Sequence, residues 1–275
     1  MKKNLDQIKL IKNGYLVKRF DNLKVLIKVK KLIENQLKKE LKKNTVNLKN
    51  YHKFVNDKTH SDCQWKIASY FWKNKLHLQC CHGIENFLFE NFGRDILIQK
   101  KPFLRIARPR KASDNIGLHK DTIYGQSPYE MSIHIPLLSL DNNSCLKFVP
   151  RSHTLNEKKI KFRKIESTVK KGSKQHKLGT PYDPKIINSA NYQAVPIPLK
   201  FGSYIIFSPA LIHGQELNLG NNTRFSFDLR VVNKYAPINH KKKSFNGNYI
   251  KFTESPIQKL ADEYFKNNKS LNNYF

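Results

Sequence analysis

The sequence lacks any run of about 18 uncharged apolar residues, the length that a helix needs to cross a membrane. No apolar segment follows the basic start, Met1-Lys-Lys-Asn, so no secretory leader is expected. Cysteine is also rare: the four cysteines show no CxxC spacing, and the adjacent pair Cys80-Cys81 is poorly suited to a disulfide. We therefore expect a chain without structural disulfides in a reducing cytoplasm.

Acidic residues are scarce, 21 against 51 lysines and arginines, and the formal net charge is +30. Such a charge attracts polyanions without regard to their sequence. However, lysine greatly outnumbers arginine, Asn and Ile are abundant, and the lysines are spread along the chain, as an AT-rich coding bias produces. We therefore expect a small-molecule partner, with an anionic one as an open option, and regard nucleic acid as the less favoured partner.

The first third of the chain is predicted to be mainly helical. Residues 10–20 are interpreted as a short strand around a glycine turn. Over residues 23–41, apolar side chains recur at three- and four-residue steps with lysines between them, which predicts an amphipathic helix with a solvated basic face. A second helical region is predicted over residues 65–92, with breaks at Gly83 and Gly93.

From residue 96 onward, short strands separated by Pro, Gly, Asn and Asp replace the helices, which favours a sandwich or closed barrel over a parallel α/β sheet. The lysine-rich stretch 156–192 is predicted to be a long surface loop or lid with a disordered tip. The tail after Val232 is polar, with one short helix predicted near Pro256–Phe265. The predicted strands are Ile96–Lys100, Phe103–Ala107, Met131–Leu140, Cys145–Val149, Ala194–Pro198, Ser203–Phe207 and Arg224–Val232.

The last of these strands has alternating faces. Its odd-numbered residues are apolar, whereas Arg224, Ser226, Asp228 and Arg230 share the opposite face. If that face lines the inside of a barrel, Arg224 can bind a carboxylate with both arms of its guanidinium, and Ser226 can add a second donor. A half-buried strand with its polar face in water would show the same alternation, so the pattern alone leaves both interpretations open.

Two histidines and one carboxylate are candidates for a metal site. His119 and Asp121 are two residues apart, so an extended backbone places both on the same side. His213 follows after a gap long enough to contain the strands that return the chain to the same barrel mouth. Two histidines and one carboxylate form the ligand set that holds non-haem Fe(II) and leaves coordination positions open.

Six blocks of sequence stand in a fixed order through the chain's second half. They are Arg105-Ile-Ala-Arg108-Pro, His119-Lys-Asp121-Thr-Ile-Tyr124-Gly125, Ile133-His134-Ile-Pro-Leu137, Asn143-Ser-Cys-Leu-Lys-Phe-Val-Pro-Arg-Ser-His153, His213-Gly and Arg224-Phe-Ser-Phe-Asp-Leu-Arg230-Val-Val. Together they resemble the phytanoyl-CoA hydroxylase-type superfamily of Fe(II)- and 2-oxoglutarate-dependent dioxygenases, and within it the streptomycin-biosynthesis type. Arg151 and His134 depart from that pattern, where Gly and a bulky aromatic are common, which leaves the accepted substrate open.

The resemblance implies a mainly β fold, a double-stranded β-helix (jelly roll, cupin-like) with N-terminal helices packed on its major sheet. It implies one domain over residues 1–275: helical support to residue 95, a core over 96–232 and a tail over 233–275. It also implies Fe(II) and 2-oxoglutarate as cofactors and O₂ as co-substrate. The residue roles that follow are iron at His119, Asp121 and His213, the distal carboxylate of 2-oxoglutarate at Arg224 and Ser226, and substrate contacts from Arg105, Arg108, Tyr124, His134 and Arg230.

Arg105 and Arg108 differ in parity along a strand, so both cannot face inward. Three functions are considered. An oxygenase of a sugar, glycan precursor or other secondary metabolite comes first, and a nucleic-acid oxidative demethylase or a non-catalytic jelly-roll binding protein are the alternatives. Demethylases carry an Arg-x-Asn-x-Thr-x-Arg strand that Arg224 to Arg230 matches in spacing, but at a different distance from His213.

Overall fold

The structure is a computed structural model, and it describes residues 5–166, 182–238, 245 and 247–268. The described α-helices are Leu5–Asn13 (α1), Leu23–Leu41 (α2), Asp57–Lys73 (α3), Leu76–His82 (α4), Glu85–Phe92 (α5) and Pro256–Asn267 (α6). The strands are Tyr15–Arg19 (β1), Ile96–Gln99 (β2), Phe103–Ala107 (β3), Met131–Pro136 (β4), Lys147–Phe148 (β5), Phe162–Glu166 (β6), Tyr182–Ile186 (β7), Val195–Pro196 (β8), Ser203–Phe207 (β9), His213–Gly214 (β10), Arg224–Asn233 (β11) and Tyr249–Thr253 (β12).

The major sheet is antiparallel and has the order β1-β9-β4-β11-β2-β12, with β3 paired to the first half of β11. β11 is its central strand, because it pairs with β4 along one edge and with β3 and then β2 along the other. The alternation seen in the sequence explains this position. Phe225, Phe227 and Leu229 are fully buried in the main core, while the polar residues between them face the other side of the sheet.

A minor sheet, in the order β10-β5-β8, lies against the polar side of the major sheet. Leu146 and Phe148 around β5 form a second apolar cluster with Ile205 and Phe207 of β9, and this cluster joins the two sheets. β9 is therefore buried on both faces, which fits its continuous apolar sequence. The two sheets form the predicted jelly roll, and among the described strands they stay open instead of closing into a barrel.

Helix α2 covers the predicted residues. Its side chains Leu26, Val29, Ile33 and Leu37 are fully buried in the main core, at the steps expected for an amphipathic helix. Full burial of one such side chain contributes about 1.5–3 kcal/mol. Because α3 and α4 add to the same core, the N-terminal helices pack on the major sheet as predicted.

The helical region predicted over residues 65–92 is divided into three helices. Breaks fall at Gly83 and Gly93 as predicted, but the prediction missed a further break, where Lys75 adopts the left-handed conformation. The first helix also begins earlier than predicted. Asn56 caps it, since its side chain accepts a hydrogen bond from the backbone three residues later in a reciprocal capping box.

The strand predicted over residues 10–20 is wrong in its first part, because α1 continues to Asn13 and β1 starts only after Gly14. Gly14 has φ +81°, and a Cβ there would lie 2.5 Å from His153 Nδ1. This turn therefore requires glycine both for its backbone conformation and for its close approach to His153.

The sequence analysis did not predict α1, β6, β7, β10 or β12. β6 and β7 form an antiparallel hairpin inside the predicted surface loop 156–192, so its described ends are regular. The predicted disordered tip falls on residues 167–181, outside the described residues. β12 adds an edge strand beside β2, whereas the predicted C-terminal helix is confirmed as α6.

All four cysteines are buried and unpaired, as expected. No helix among the described residues is both long and apolar enough to cross a membrane.

Candidate metal centre

His119, Asp121 and His213 converge at one end of the jelly roll. Nε2 of His119 lies 3.7 Å from Asp121 Oδ1, and Nε2 of His213 lies 3.9 Å from the same oxygen. One ligand atom from each of the three residues lies within 4.8 Å of the others. Each side chain is at most 13% exposed. Donor atoms at this spacing can share one metal ion, and two imidazoles with one carboxylate fit Fe(II).

Local backbone geometry produces this convergence. Lys120 is extended, with φ −116° and ψ 139°, so the side chains before and after it point the same way, as the sequence predicts. The segment at His119 forms an antiparallel bridge with β10 at His213. Gly214 allows the segments to approach, because a Cβ there would lie 2.7 Å from the backbone carbon and oxygen of Gly117.

Both histidines are oriented by carbonyl groups. Nδ1 of His119 lies 2.8 Å from the Gly117 oxygen, and Nδ1 of His213 lies 2.9 Å from the Leu211 oxygen. Because a carbonyl only accepts, each Nδ1 carries the proton and each Nε2 keeps its lone pair for a metal. Burial, with help from the neighbouring His119, lowers the pKa of His213 to about 4, so its imidazole is neutral near pH 7.

Several neighbouring side chains keep Asp121 ionised and fix its orientation. Burial acts to raise its pKa, but the close approach of His119 and His213 and the charge of Arg230 outweigh burial and hold the pKa well below the ordinary range. Ser132 donates to Asp121 Oδ2 at 2.9 Å. In the orientation that satisfies both of its neighbours, the amide of Gln126 donates to the same oxygen at 3.1 Å and accepts from Arg230.

A cavity opens beside the three donors. Phe103 and Arg105 of β3 and Asp228 and Arg230 of β11 line one wall, so the polar face of β11 does point into the interior. The remaining lining includes Ile116, Ser132, Leu146, Phe207, Gly214 and Gln215. The mixed apolar and charged lining is typical of a site that binds an organic molecule in a fixed orientation.

Deeper along the same face of β11 lie buried polar atoms without partners. Arg224 is 1% exposed, and only its Nη1 is bonded, donating to the Ser144 carbonyl at 3.0 Å. Its Nε and Nη2 and the hydroxyl of the fully buried Ser226 have no partner in the part of the chain that the structure describes. Leaving such donors unpaired costs about 1–3 kcal/mol each, more for a charged group. A carboxylate would satisfy them, so these residues fit the distal end of a dicarboxylate such as 2-oxoglutarate.

Asp228 sits between two of the predicted substrate contacts. Its Oδ1 accepts from His134 Nδ1 at 2.6 Å, and its Oδ2 lies 3.3 Å from Arg105 Nε. Burial acts to raise the pKa of Asp228, but its contacts with His134 and Arg105 hold the pKa below its ordinary value. Nε2 of the fully buried His134 has no partner among the described residues. Arg105 therefore lines the cavity, whereas His134 lies behind it and contacts Asp228.

The other predicted contacts have different surroundings. Tyr124 packs edge-on against His119, with ring centroids 5.7 Å apart. The predicted substrate contact of Arg108 is wrong, because this side chain faces away from the cavity. It donates to both oxygens of Asp114 at 2.8 Å and to Asp57 at 2.8 Å. It differs in parity from the inward-facing Arg105, and only one of the two could face the cavity.

The sequence-based prediction of the site missed several residues that contact the donors or line the cavity, among them Ser132, Gln126, Gln215 and Phe103. Ser132 was detectable, because it shares a face of β4 with the predicted His134. Gln126 follows the turn after Asp121, and no periodicity marks it. Phe103 was detectable by its parity with Arg105 on β3.

This chain is similar to known proteins in sequence and in fold. A family profile described as phytanoyl-CoA dioxygenase (PhyH) matches residues 31–226. A search of curated proteins found no match. Among solved structures, the non-heme monooxygenase ThoJ superposes with a TM-score of 0.56 at 15% identity, covering 92% of this chain and 84% of ThoJ. Its nickel complex gives 0.54 at 13% identity, with coverage of 92% and 84%.

EvdO2 from Micromonospora carbonacea var. aurantiaca gives a TM-score of 0.50 at 14% identity, covering 84% of this chain and 91% of EvdO2. At these identities the superpositions support a shared fold and carry no residue roles.

Proposed function

The chain belongs to the phytanoyl-CoA dioxygenase family, and on this premise we propose that it is a non-haem Fe(II)- and 2-oxoglutarate-dependent oxygenase of a small organic molecule. One observation carries the proposal: His119, Asp121 and His213 present their ligand atoms within 4.8 Å of one another beside a cavity. The two imidazoles keep Nε2 free for a metal, since each Nδ1 donates to a carbonyl.

Under this proposal, His119, Asp121 and His213 bind iron, and Arg224 with Ser226 binds the distal carboxylate of 2-oxoglutarate. When bound, the iron and the keto acid supply the oxidising power by activating O₂, with succinate and CO₂ formed from the keto acid. The buried, unpartnered donors of Arg224 and Ser226 support the second assignment.

The protein's own contribution is orientation and exclusion of water. Phe207 and Leu146, from the apolar cluster between the two sheets, line one side of the cavity. Because apolar side chains exclude water, they strengthen the ionic contacts that orient a substrate. Ser132 fixes the carboxylate of Asp121 by donating to the oxygen that does not face the histidines. Arg105 and Arg230, from neighbouring strands, are the charged side chains that can contact a substrate.

The finer assignments are part of the proposal. The mixed apolar and charged lining of the cavity is compatible with a secondary metabolite as substrate, and the order of the sequence blocks favours the streptomycin-biosynthesis type. We further propose that residues 1–275 act as one domain and that the protein works in the cytoplasm. The core that the N-terminal helices share with the major sheet supports the single domain.

The test uses the full chain without O₂. Addition of Fe(II) and then 2-oxoglutarate should produce a charge-transfer absorption band, and admission of O₂ should yield succinate. His213→Ala should abolish both signals, since it removes one of three ligands. His82→Ala, at an exposed histidine outside the cavity, should retain both and serves as the matched control. A band of unchanged intensity in His213→Ala would contradict the proposal.

A further inference from the structure

The cavity beside the three donors contains two arginines, Arg105 from β3 and Arg230 from β11. Their guanidinium carbons lie 5.0 and 5.4 Å from the centroid of the Phe103 ring, so one aromatic side chain contacts both cations. Contact with a ring holds a guanidinium in place without neutralising its charge. Each arginine therefore needs a counter-charge from elsewhere.

Arg105 has its counter-charge within the protein, since its Nε lies 3.3 Å from Asp228 Oδ2. Arg230 differs. In the part of the chain that the structure describes, no carboxylate oxygen lies within 4.0 Å of the Arg230 guanidinium. Its neighbour is the neutral amide of Gln126, whose other end contacts Asp121. Two arginines in one cavity thus differ in the way their charges are compensated.

Asp121 cannot compensate Arg230 if the proposed function holds, and the inference rests on that function. A divalent metal and a dicarboxylate carry equal and opposite charges, so Arg224 then offsets Asp121. Asp228 offsets Arg105. Among the residues that line the cavity, Arg230 is then the cation without a carboxylate of its own, and a half-buried charge without a partner is costly. An anion that arrives with the substrate removes this cost.

We propose that Arg230 binds an anionic group of the substrate, a carboxylate or a phosphate, and thereby selects which molecules the cavity accepts. The planar guanidinium suits both groups, because it can donate to two of their oxygens at once. Only the amide of Gln126 separates Arg230 from Asp121. The substrate is therefore a small organic acid or phosphate ester that is oxidised close to its charged group.

The experiment measures anion binding to the full chain loaded with Fe(II) and saturating 2-oxoglutarate, without O₂ and at constant ionic strength. The probes are acetate, its neutral analogue acetamide, and methyl phosphate, titrated by calorimetry while the charge-transfer band reports metal and 2-oxoglutarate. At least one anion should bind at least about tenfold more tightly than acetamide, since a charge-assisted bidentate contact supplies that difference. Whether acetate or methyl phosphate binds more tightly distinguishes a carboxylate substrate from a phosphorylated one.

Arg230→Gln should lose this preference by about tenfold while keeping the band. Arg230→Lys should retain part of it, because a point charge remains. The matched control Arg94→Gln changes an exposed arginine outside the cavity and should behave like the unaltered protein. An Arg230→Gln variant that keeps the preference, or an unaltered protein without any, overturns the inference. Absence of the band from the unaltered protein overturns the proposed function and this inference with it.

Discussion

His119 and His213 are hydrogen-bonded to each other through their backbones. The His119 amide lies 2.8 Å from the His213 carbonyl, and the His213 amide lies 2.9 Å from the His119 carbonyl. The two rings consequently lie with centroids 4.4 Å apart. Main-chain atoms make this pairing, so a change of side chain at either position removes a proposed metal ligand without removing the bridge. Variants at this site can thus separate chemistry from folding.

Gly214→Ala should weaken metal binding. The new methyl group would meet backbone atoms of Gly117 at 2.7 Å, and backbone cannot move aside as a flexible side chain can. We expect Fe(II) affinity to fall by at least about tenfold, as for other disturbances next to metal ligands, measured by competition with a chelator. Gly220→Ala is the control, because its nearest contact is a side-chain oxygen at 3.2 Å. Equal affinities in the two variants would show that the close approach is not required.

Arg224→Leu should lower the affinity for 2-oxoglutarate by at least about tenfold, since it removes a buried guanidinium with two unpaired nitrogens. The measurement is a titration of the charge-transfer band. Arg230→Leu should leave that affinity within about twofold, as expected for a residue without a role in binding the co-substrate. The reverse outcome would indicate that Arg230, and not Arg224, binds the distal carboxylate of 2-oxoglutarate, and it would favour an enzyme of the nucleic-acid demethylase type.

Arg108→Met should destabilise the fold, since it leaves Asp114 buried without its partner. Both side chains are at most 4% exposed, and removal of one member of a buried pair costs about 3–5 kcal/mol. Urea unfolding at pH 7 provides the measurement. The double variant Arg108→Met with Asp114→Leu should recover much of the loss, because no uncompensated charge remains. A double variant as unstable as the single one would indicate that packing, and not charge, is lost.

His77→Phe should reduce the sensitivity of the protein to acid. Burial lowers the pKa of His77 from 6.5 to about 4, and neither ring nitrogen has a partner. Between these two pH values the unfolded chain binds a proton that the folded chain does not, so stability falls by about 1.4 kcal/mol per pH unit as the pH drops. Urea midpoints at pH 7 and pH 5 should therefore differ less in the variant. An unchanged difference, as expected for the exposed control His82→Phe, would contradict this assignment.

The sequence was informative where the environment of a side chain follows from the alternation of a strand or the repeat of a helix. The period of α2, the alternation of β3 and β11 and the continuous apolar run of β9 predicted those elements closely. The shared side of His119 and Asp121 follows from an extended Lys120. Burial of one face leaves such a pattern in a single segment, which needs no partner to be recognised.

Contacts between distant segments left no such pattern. The pairing of Arg108 with Asp114 and Asp57 depends on where a loop meets α3, so the residue was assigned to the cavity instead. β12 was missed because its half-exposed residues carry little alternation and its partner β2 is remote in sequence. Gln126 reaches Asp121 across a turn, a contact that spacing cannot reveal.

Because the faces of β11 alternate, the packing of the core and the polar lining of the interior depend on the same register of this strand. A shift of this strand by a single residue would turn Phe225, Phe227 and Leu229 toward the cavity and would place Arg224, Ser226 and Arg230 in the apolar core. Misaligned molecules would lose core and chemistry together. The turnover measured for a preparation would then report the fraction of correctly folded molecules. A misaligned molecule would not be stable, because its apolar side chains would no longer pack in the core.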